Sequence, residues 1–289
     1  MHPSLTNSLL PGKLRQQLYT ILKQNFSGRL IMKNVMVILI VLLTVTFFIA
    51  GCAAPQQPAK QYKWKVHDPD RPVPPIITPG TATSAPSDAI VLFDGSDLSE
   101  WASSGDKPAK WKVENDYMVI PKGGGTLRTR RSFGNCQLHI EWASPAEVKG
   151  SDQGRGNSGI YFMGQYEVQV LDSYNNKTYA DGQAGGIYGQ KPPLANACRP
   201  PGEWQTYDII FHRPIFADEK LVKPATITVL HNNILIQDHW IIEGRTLWRQ
   251  RAIYKPHADA LPITLQDHGN PVRYRNIWIR PLKPDEETE

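Results

Sequence analysis

Short runs in which apolar and polar residues alternate dominate the chain from about residue 88 onwards. Gly, Pro, Asn and Asp separate these runs, and no amphipathic helical pattern lies between them. A period of two is typical of β-strands that bury one face, so the pattern predicts an all-β sandwich of two antiparallel sheets. The predicted strands lie at residues 90–93, 111–120, 137–142, 159–162, 166–171, 204–211, 225–237, 263–266 and 272–279.

Two of these runs contain a local signal for irregular backbone. Residues 231–234, HNNI, predict a tight hairpin turn within the run 225–237, because asparagine tolerates a positive φ. In the last run the apolar positions change alternation phase after position 274, which predicts a β-bulge near Asn276. Such a bulge would direct Arg273 or Arg275 towards a polar surface. The alternative is that these arginines are ordinary exposed sheet residues.

The strands at 166–171 and 263–266 each combine an apolar face with a polar one. In the first strand, Glu167 and Gln169 point away from the apolar residues with which they alternate. In the second, Thr264, Gln266 and His268 share the face opposite the apolar residues. If both strands belong to one sheet, a carboxylate, two carboxamides and an imidazole converge on one surface. That set of groups suits acid and base chemistry on a neutral polar ligand such as a sugar.

An unbroken apolar segment precedes the strand-rich part of the chain. Residues 32–52, MKNVMVILIVLLTVTFFIAGC, have a lysine near their start and small residues directly before Cys52. This pattern is typical of a bacterial lipoprotein signal, in which Cys52 becomes the lipidated first residue of the mature protein. A transmembrane anchor is the alternative, because the run approaches the length that spans a bilayer. Residues 1–31 resemble an extended reading frame ahead of a start at Met32.

Four segments follow from these features. They are a leader with its signal peptide at 1–51, the lipidated cysteine and a Pro-rich tether at 52–87, a β-sandwich domain at 88–284 and an acidic tail at 285–289. The tether is rich in Pro, Gln, Ala, Ser and Thr, and it cannot bury enough apolar surface to fold by itself. Because Ala53 lacks the acidic side chain that favours retention in the inner membrane, we expect export and lipid anchoring in the outer membrane.

The leader also accounts for the excess of positive charge. The chain carries 32 Lys and Arg against 27 Asp and Glu, and residues 1–51 hold five of the basic residues and no acidic one. Thirty-two less five leaves 27 of each sign, so the net charge gives no support for nucleic-acid binding. Besides Cys52, the cysteines are Cys136 and Cys198, for which a disulfide and a pair of small buried thiols are both open.

Seven motifs occur in series along the predicted domain. They are LFDGSDLSEW (92–101), RGNSGIYF (155–162), YEVQVLDS (166–173), GGIYGQKPPL (185–194), PGEWQTYDI (201–209), TVLHN (228–232) and LQDHGNPVRYRNIWIRPL (265–282). Together they resemble the 3-keto-disaccharide hydrolase family, whose members are 3-keto-glycoside lyase and hydratase domains. The resemblance implies a concanavalin A-like jelly-roll fold. One departure is Asn233, where the family turn usually carries glycine, and it affects no proposed catalytic position.

The resemblance also implies a reaction. A ketone at C3 of a sugar acidifies the hydrogen on C2, so a base can remove it and the glycosidic oxygen can leave C1 by β-elimination. Water then adds to the enone, and the net result is hydrolysis of a small carbohydrate substrate. Such a site needs a base, a stabiliser for the enolate oxygen and an acid for the leaving group. A partner oxidoreductase would have to supply the ketone.

The candidate residues divide into three groups. Glu167 and His268 are the predicted catalytic pair, the former as base or as the group that orients the latter. The predicted substrate-binding residues are the donors Gln169, Gln266, Arg273 and Arg275, the sugar-stacking Tyr161 and Tyr188, and Asp172 and Asp267 on rim loops. No closely spaced metal-ligand motif is present, so no cofactor is predicted, although a divalent ion stays open.

Two other functions fit the same fold class. A conventional retaining glycoside hydrolase would use Glu167 and Asp172 as paired carboxylates, which requires a separation of about 5–5.5 Å. A non-catalytic carbohydrate-binding module would need aromatic rings and hydrogen-bond donors, but no side chain with a tuned pKa.

Overall fold

Fifteen β-strands and three short 3-10 helices form the regular structure of residues 62–283 in the computed structural model, which also describes residues 12–17, 19, 20, 23, 32 and 36. The strands are β1 (Ile90–Phe93), β2 (Trp101–Ala102), β3 (Lys112–Glu114), β4 (Tyr117–Val119), β5 (Leu127–Thr129), β6 (Cys136–Ala143), β7 (Ser158–Phe162), β8 (Tyr166–Val170), β9 (Gln205–His212), β10 (Ile215–Ala217), β11 (Lys220–Lys223), β12 (Thr226–His231), β13 (Ile234–Ile241), β14 (Thr264–Leu265) and β15 (Arg273–Pro281). The 3-10 helices span Ser104–Asp106, Asp152–Gly154 and Ala180–Gly182.

The strands form two main antiparallel sheets. An eight-stranded sheet has the order β13-β12-β9-β6-β15-β4-β3, with β1 also paired to β15. A five-stranded sheet has the order β2-β5-β14-β7-β8, and β10 and β11 form a separate hairpin. The predicted all-β sandwich of the jelly-roll class is therefore confirmed.

The core lies between the two main sheets. Phe162 of the five-stranded sheet stacks on Phe211 of the eight-stranded sheet, with ring centroids 4.8 Å apart. Two buried tyrosine hydroxyl groups form hydrogen bonds across the same space. Tyr274 donates to Ser158 Oγ at 2.6 Å, and Tyr207 donates to the carbonyl of Gln169 at 2.9 Å. The contacts from Tyr274 and Tyr207 fix the five-stranded sheet, which carries the candidate site, against the eight-stranded sheet.

Both predicted irregularities of the backbone are confirmed. Asn232 and Asn233 connect β12 to β13 with φ of 49° and 66°, as a primed two-residue turn requires. Asn276 has a φ of 45°, and the pairing of β15 with β6 shifts register between Arg275 and Trp278.

Several sequence predictions concern residues near the ends of the chain. Cys52, most of the segment 32–52 and the tail 285–289 lie outside the described residues. Among the residues that the structure describes, no helix combines the length and the apolar character needed to span a bilayer. Within the predicted tether, Thr81 pairs with Ser84, and the carbonyl of Ala82 accepts a hydrogen bond from Asn276 on β15.

The open question about the two remaining cysteines is answered by their positions. Cys136 on β6 is fully buried, and Cys198 is partly buried beside the carbonyl of Leu171. Both are free thiols, so no disulfide joins them. Burial raises the pKa of Cys198 to about 12 and raises that of Cys136 still further, which keeps both thiols protonated and unreactive.

Candidate active site

Strands β7 and β8 place polar side chains on the outer face of the five-stranded sheet. Ile160 on β7 and Val168 on β8 are fully buried and face the core. Alternation then directs Tyr161, Glu167 and Gln169 to the opposite face. Tyr161 pairs directly with Glu167 across the two strands, and Thr264 of β14 pairs with Tyr161 on the other side. The sequence prediction that both polar strands share one sheet is confirmed, with β7 lying between them.

A pocket of about 570 Å³ lies over this polar face. Its volume falls within the range of about 300–1,000 Å³ that is typical of small-molecule sites. The residues that line it are Gln153, Asn157, Tyr161, Glu167, Gln169, Tyr179, Tyr188, Thr246, Trp248, Gln266 and His268. Six of the ten residues predicted for the site therefore lie together: Glu167, His268, Gln169, Gln266, Tyr161 and Tyr188.

Two loops cover the free edge of β8. Gly185 donates its N–H to the carbonyl of Gln169 at 2.8 Å, and Tyr188 donates its N–H to the carbonyl of Glu167 at 3.3 Å. The N–H of Glu167 donates to Thr246 Oγ1 at 3.1 Å. These bonds satisfy a strand edge that would otherwise be unpaired, and they bring the side chains of Tyr188 and Thr246 to the pocket.

Glu167 is the one carboxyl group among the residues that line the pocket, and its pKa is strongly perturbed. It is only 4% exposed, and burial raises its pKa to about 7, although a hydrogen bond from the hydroxyl of Tyr161 opposes the rise. None of the eleven lining residues is Lys or Arg, so no cation of the wall offsets the cost of burying the negative charge. A carboxyl group with a pKa near neutrality is suited to general base catalysis.

Tyr161 complements this carboxyl group. Burial, followed by the nearby negative charge of Glu167, raises the pKa of Tyr161 well above its usual range. The phenol therefore stays protonated and acts as a hydrogen-bond donor. It also accepts a hydrogen bond from Gln266 Nε2 at 3.2 Å, which ties strands β7 and β14 together at the pocket floor.

Gly159 has no side chain, and the Glu167 carboxylate occupies the space where one would lie. Position 159 pairs with Gln169 and lies one alternation step before Tyr161, so its missing side chain would point into the pocket. A Cβ atom there would collide with Glu167 Oε1 and would lie 3.0 Å from Tyr161 Cε2. Glycine is therefore required by the close approach of these two side chains.

A chain of carboxamides leads from the loop to Glu167. Gln153 Nε2 donates to the carbonyl of Gly182 at 2.9 Å, which directs its Oε1 towards Gln169 Nε2 at 2.8 Å. The other end of the Gln169 amide lies 3.3 Å from Glu167 Oε1 and 2.9 Å from the carbonyl of Ser158. Because the Ser158 carbonyl and an ionised Glu167 are both acceptors, the amide is satisfied when it is rotated so that its NH₂ group donates to both of them.

Gln266 and His268 form the opposite wall. The N–H of Gln266 donates to the carbonyl of Gly159 at 2.9 Å, and its own carbonyl accepts from Ser158 Oγ at 2.6 Å, so the segment after β14 is held firmly. Gln266 Oε1 is buried without a hydrogen-bond partner in the described structure, which makes it an available acceptor for a ligand hydroxyl. His268 is exposed at the mouth of the pocket.

The two predicted rim aspartates have structural roles outside this pocket. Asp172 is 4% exposed and forms an ion pair with Arg155 at 2.6 Å, in a separate hollow. Asp267 accepts hydrogen bonds at 2.8 Å from the N–H groups of Gly125 and Gly269. Both carboxylates follow the ends of their strands, as expected, but they hold loops and do not reach the pocket.

The prediction that a bulge directs Arg273 or Arg275 to the polar patch is wrong. Both arginines lie on β15 in the eight-stranded sheet, and they alternate with the buried Tyr274, so they face away from the other sheet. Arg275 pairs with Glu141 at 2.8 Å, and its guanidinium lies 4.2 Å from the ring centroid of Trp204. The bulge changes the phase of β15 but cannot carry its side chains to the opposite layer.

Five lining residues were not predicted: Gln153, Asn157, Tyr179, Thr246 and Trp248. All five lie outside the strands. Trp248 is 68% exposed and belongs to the covering loop around residues 244–251, which has no alternation pattern. Only Asn157 had a signal, because it falls within the motif RGNSGIYF just before β7.

The donor chemistry of the pocket offers little to a metal ion. Throughout the described part of the chain, no group of three or more His, Cys, Asp or Glu side chains is arranged to hold one. In the pocket, Glu167 and His268 are the only side chains of those four types.

Comparison with known proteins bears on the whole domain. Residues 88–280 match the model of the 3-keto-alpha-glucoside-1,2-lyase-like domain family. A 3-keto-disaccharide hydrolase from Bacteroides thetaiotaomicron is 26% identical over 238 residues, which cover 67% of this chain and 78% of that protein.

Two solved structures resemble this chain in fold. The crystal structure of a candidate glycosyl hydrolase from Parabacteroides distasonis is 46% identical, with a TM-score of 0.72, and the match covers 78% of this chain and 100% of that one. A second candidate glycosyl hydrolase from the same organism is 19% identical with a TM-score of 0.51, over 68% of this chain and 94% of that chain. The second likeness concerns the fold alone.

Proposed function

Since this chain belongs to the 3-keto-alpha-glucoside-1,2-lyase-like family, we propose that it cleaves 3-keto-glycosides by β-elimination followed by hydration. The observation that carries this proposal is Glu167, a buried carboxyl group with a pKa near 7 in a pocket of sugar size. The substrate we propose is a small neutral carbohydrate, and its ketone must come from a separate oxidation at C3.

The first step is removal of the proton on C2. The Glu167 carboxylate accepts this proton, and the electrons of the C2–H bond form the enolate of C2 and C3. We assign stabilisation of the enolate oxygen to the hydroxyl of Tyr161, which stays protonated, and to the NH₂ group of Gln169, both of which lie beside Glu167. Preorganised donors of this kind stabilise an oxyanion without a cost of reorganisation.

The second step expels the leaving group. The enolate restores the C3 ketone and forms a C1–C2 double bond, and the glycosidic C1–O bond breaks. The departing oxygen takes up a proton, which His268 at the pocket mouth is placed to supply. Water then adds to C1 and a proton returns to C2, so that one water and one glycoside give one 3-keto sugar and one alcohol.

The alternative of a conventional retaining hydrolase is less well supported. Retention requires two carboxyl groups about 5–5.5 Å apart. Glu167 is the one carboxyl group among the lining residues of the pocket, and Asp172, its partner in that hypothesis, is paired with Arg155 in another hollow. A non-catalytic binding module would not explain why a carboxyl group is buried without a cation in the pocket wall.

The test uses a 3-keto-glucoside and its unoxidised parent in deuterium oxide. We expect cleavage of the ketone alone, with deuterium at C2 of the released 3-keto sugar, because C2 loses and regains a proton. Cleavage of the parent at a comparable rate would support the retaining hydrolase. Binding of either sugar without turnover would support the binding module, and both results would refute the proposal.

We further propose that the protein is exported and anchored to the outer membrane through a lipid on Cys52. This proposal rests on the sequence pattern of residues 32–52. The Pro-rich residues after Cys52 would then separate the sandwich from the membrane surface.

A further inference from the structure

A second hollow, of about 620 Å³, adjoins the catalytic pocket. We call it the outer hollow. Four residues line both spaces and form the boundary between them: Gln153, Tyr179, Tyr188 and Trp248. The outer hollow is also lined by Asp152, Asp181, Gly189, Leu247, Arg249, Gln250 and Arg251, whereas Glu167 belongs to the catalytic pocket alone.

The boundary between the two spaces is aromatic. The hydroxyl groups of Tyr179 and Tyr188 lie 2.7 Å apart, and their rings meet edge to face. Trp248 is 68% exposed, with the guanidinium of its neighbour Arg249 at 4.8 Å from the ring centroid. A largely exposed indole at a cavity rim is unusual for a side chain of this size, and it offers a flat surface for the apolar face of a pyranose.

The wall of the outer hollow is held in place by its own contacts. Gln153 Nε2 donates to both Thr178 Oγ1 and the carbonyl of Gly182 at 2.9 Å. Asp152 accepts a hydrogen bond from Thr178, and the N–H of Gly189 donates to the carbonyl of Asp181 at 3.2 Å. A wall fixed before the ligand arrives reduces the entropy cost of binding.

The charges of the outer hollow balance one another. Asp152 and Asp181 contribute two carboxylates, and Arg249 and Arg251 contribute two guanidinium groups. A wall with both donors and acceptors and no net charge suits a neutral group with many hydroxyls, whereas a single sign of charge would select an ion. A hexopyranose has this character.

The geometry points to the outer hollow as the site for the second sugar ring of a 3-keto-disaccharide, stacked on Trp248. This inference rests on the proposed function. A ring whose C2–H faces Glu167 lies in the catalytic pocket, and its C1 substituent can pass across the aromatic boundary that the two spaces share. The adjoining space across the aromatic boundary is of similar volume and can hold one further ring.

The test compares two substrates in the full-length protein with Trp248→Ala. For a 3-keto-disaccharide of two glucose units, we expect kcat/KM to fall about 10- to 100-fold, mainly through KM, which is the range for losing one side-chain contact in a pocket. For methyl 3-keto-glucoside, whose leaving group is only methanol, we expect a clearly smaller loss, because only the ring in the catalytic pocket then remains to contact the indole, which lines both spaces. Trp248→Phe should restore most of the activity on the disaccharide.

Tyr174→Ala is the matched control, because Tyr174 is an exposed aromatic residue that lines neither space. It should leave both substrates unaffected. An equal loss on both substrates in Trp248→Ala would mean that the indole acts only on the ring in the catalytic pocket and would overturn the inference, as would no loss on either substrate. If the wild-type protein cleaves neither ketone, the proposed function itself fails. That result differs from one in which wild type cleaves both ketones and Trp248→Ala affects them equally.

Discussion

Replacement of Glu167 by glutamine should stabilise the protein at pH 8.5 and have little effect at pH 4.5. The carboxyl group is 4% exposed, and burial raises its pKa from 4.5 to about 7. The folded state therefore holds this proton more tightly than the unfolded state does. The stabilisation that results is fully present below the unfolded pKa of 4.5 and is lost as the pH rises through 7. Glutamine does not ionise, so the variant avoids that loss.

The magnitude follows from the two pKa values. The interval between 4.5 and about 7 corresponds to about 3 kcal/mol of unfolding free energy, at about 1.4 kcal/mol for each pH unit. For a domain of this size, such a difference raises Tm by about 6–12 °C. Glutamine keeps the shape of the side chain, and its Oε1 can accept the hydrogen bond that the Tyr161 hydroxyl gives to Glu167.

The assay is denaturant unfolding of wild type and Glu167→Gln at the two pH values. All other ionisable groups are common to both proteins, so the difference between them isolates position 167. Glu203→Gln, at an exposed turn outside the pocket, is the control and should show no such pH dependence. A raised pKa at Glu167 would be refuted if the free energy of unfolding of the variant differed from that of wild type by the same amount at both pH values. It would also be refuted if the variant were less stable than wild type at pH 8.5.

Three further predictions concern catalysis and attachment. The kcat/KM of wild type for a 3-keto-glycoside should increase with pH through about 7, because only the carboxylate form of Glu167 accepts a proton; a flat profile would argue against this role. Gly159→Ala should lower kcat/KM by at least about tenfold with an unchanged circular dichroism spectrum, because its Cβ displaces the Glu167 carboxylate, whereas Gly154→Ala, where nothing lies within 4 Å, should have no effect. Cys52→Ser should abolish incorporation of labelled palmitate in bacterial cells, and retention of the label would exclude Cys52 as the lipidation site.

The alternation of apolar and polar residues predicted the longer strands because burial of one face imposes a period of two. It did not detect β2, β5, β10 or β11, which have two to four residues, too few for a period to emerge. The run 111–120 was predicted as one strand, but it is the hairpin of β3 and β4. Asn115 and Asp116 form its turn with φ of 46° and 62°.

The same rule explains which site residues were found. Alternation fixes the face of a strand, so Glu167 and Gln169 were correctly assigned to a shared surface. It does not specify which sheet a strand joins, and for that reason Arg273 was assigned to the wrong side of the sandwich. Trp248 belongs to a loop, whose position depends on contacts with distant residues such as that between Thr246 and Gln165. No local pattern encodes such a contact.

The closure of the β8 edge by two loops leaves Glu167 on the sheet and puts part of the pocket rim on the loops. Glu167 stands on a strand whose neighbours and core contacts are set by the whole sandwich, while Tyr188 and Trp248 stand on peripheral connections. Exchanges in residues 247–251 can therefore change the rim that Trp248 forms while β7 and β8 keep Glu167 in place. Under the proposed function, a sandwich divided in this way would let the accepted glycoside change without a change at Glu167.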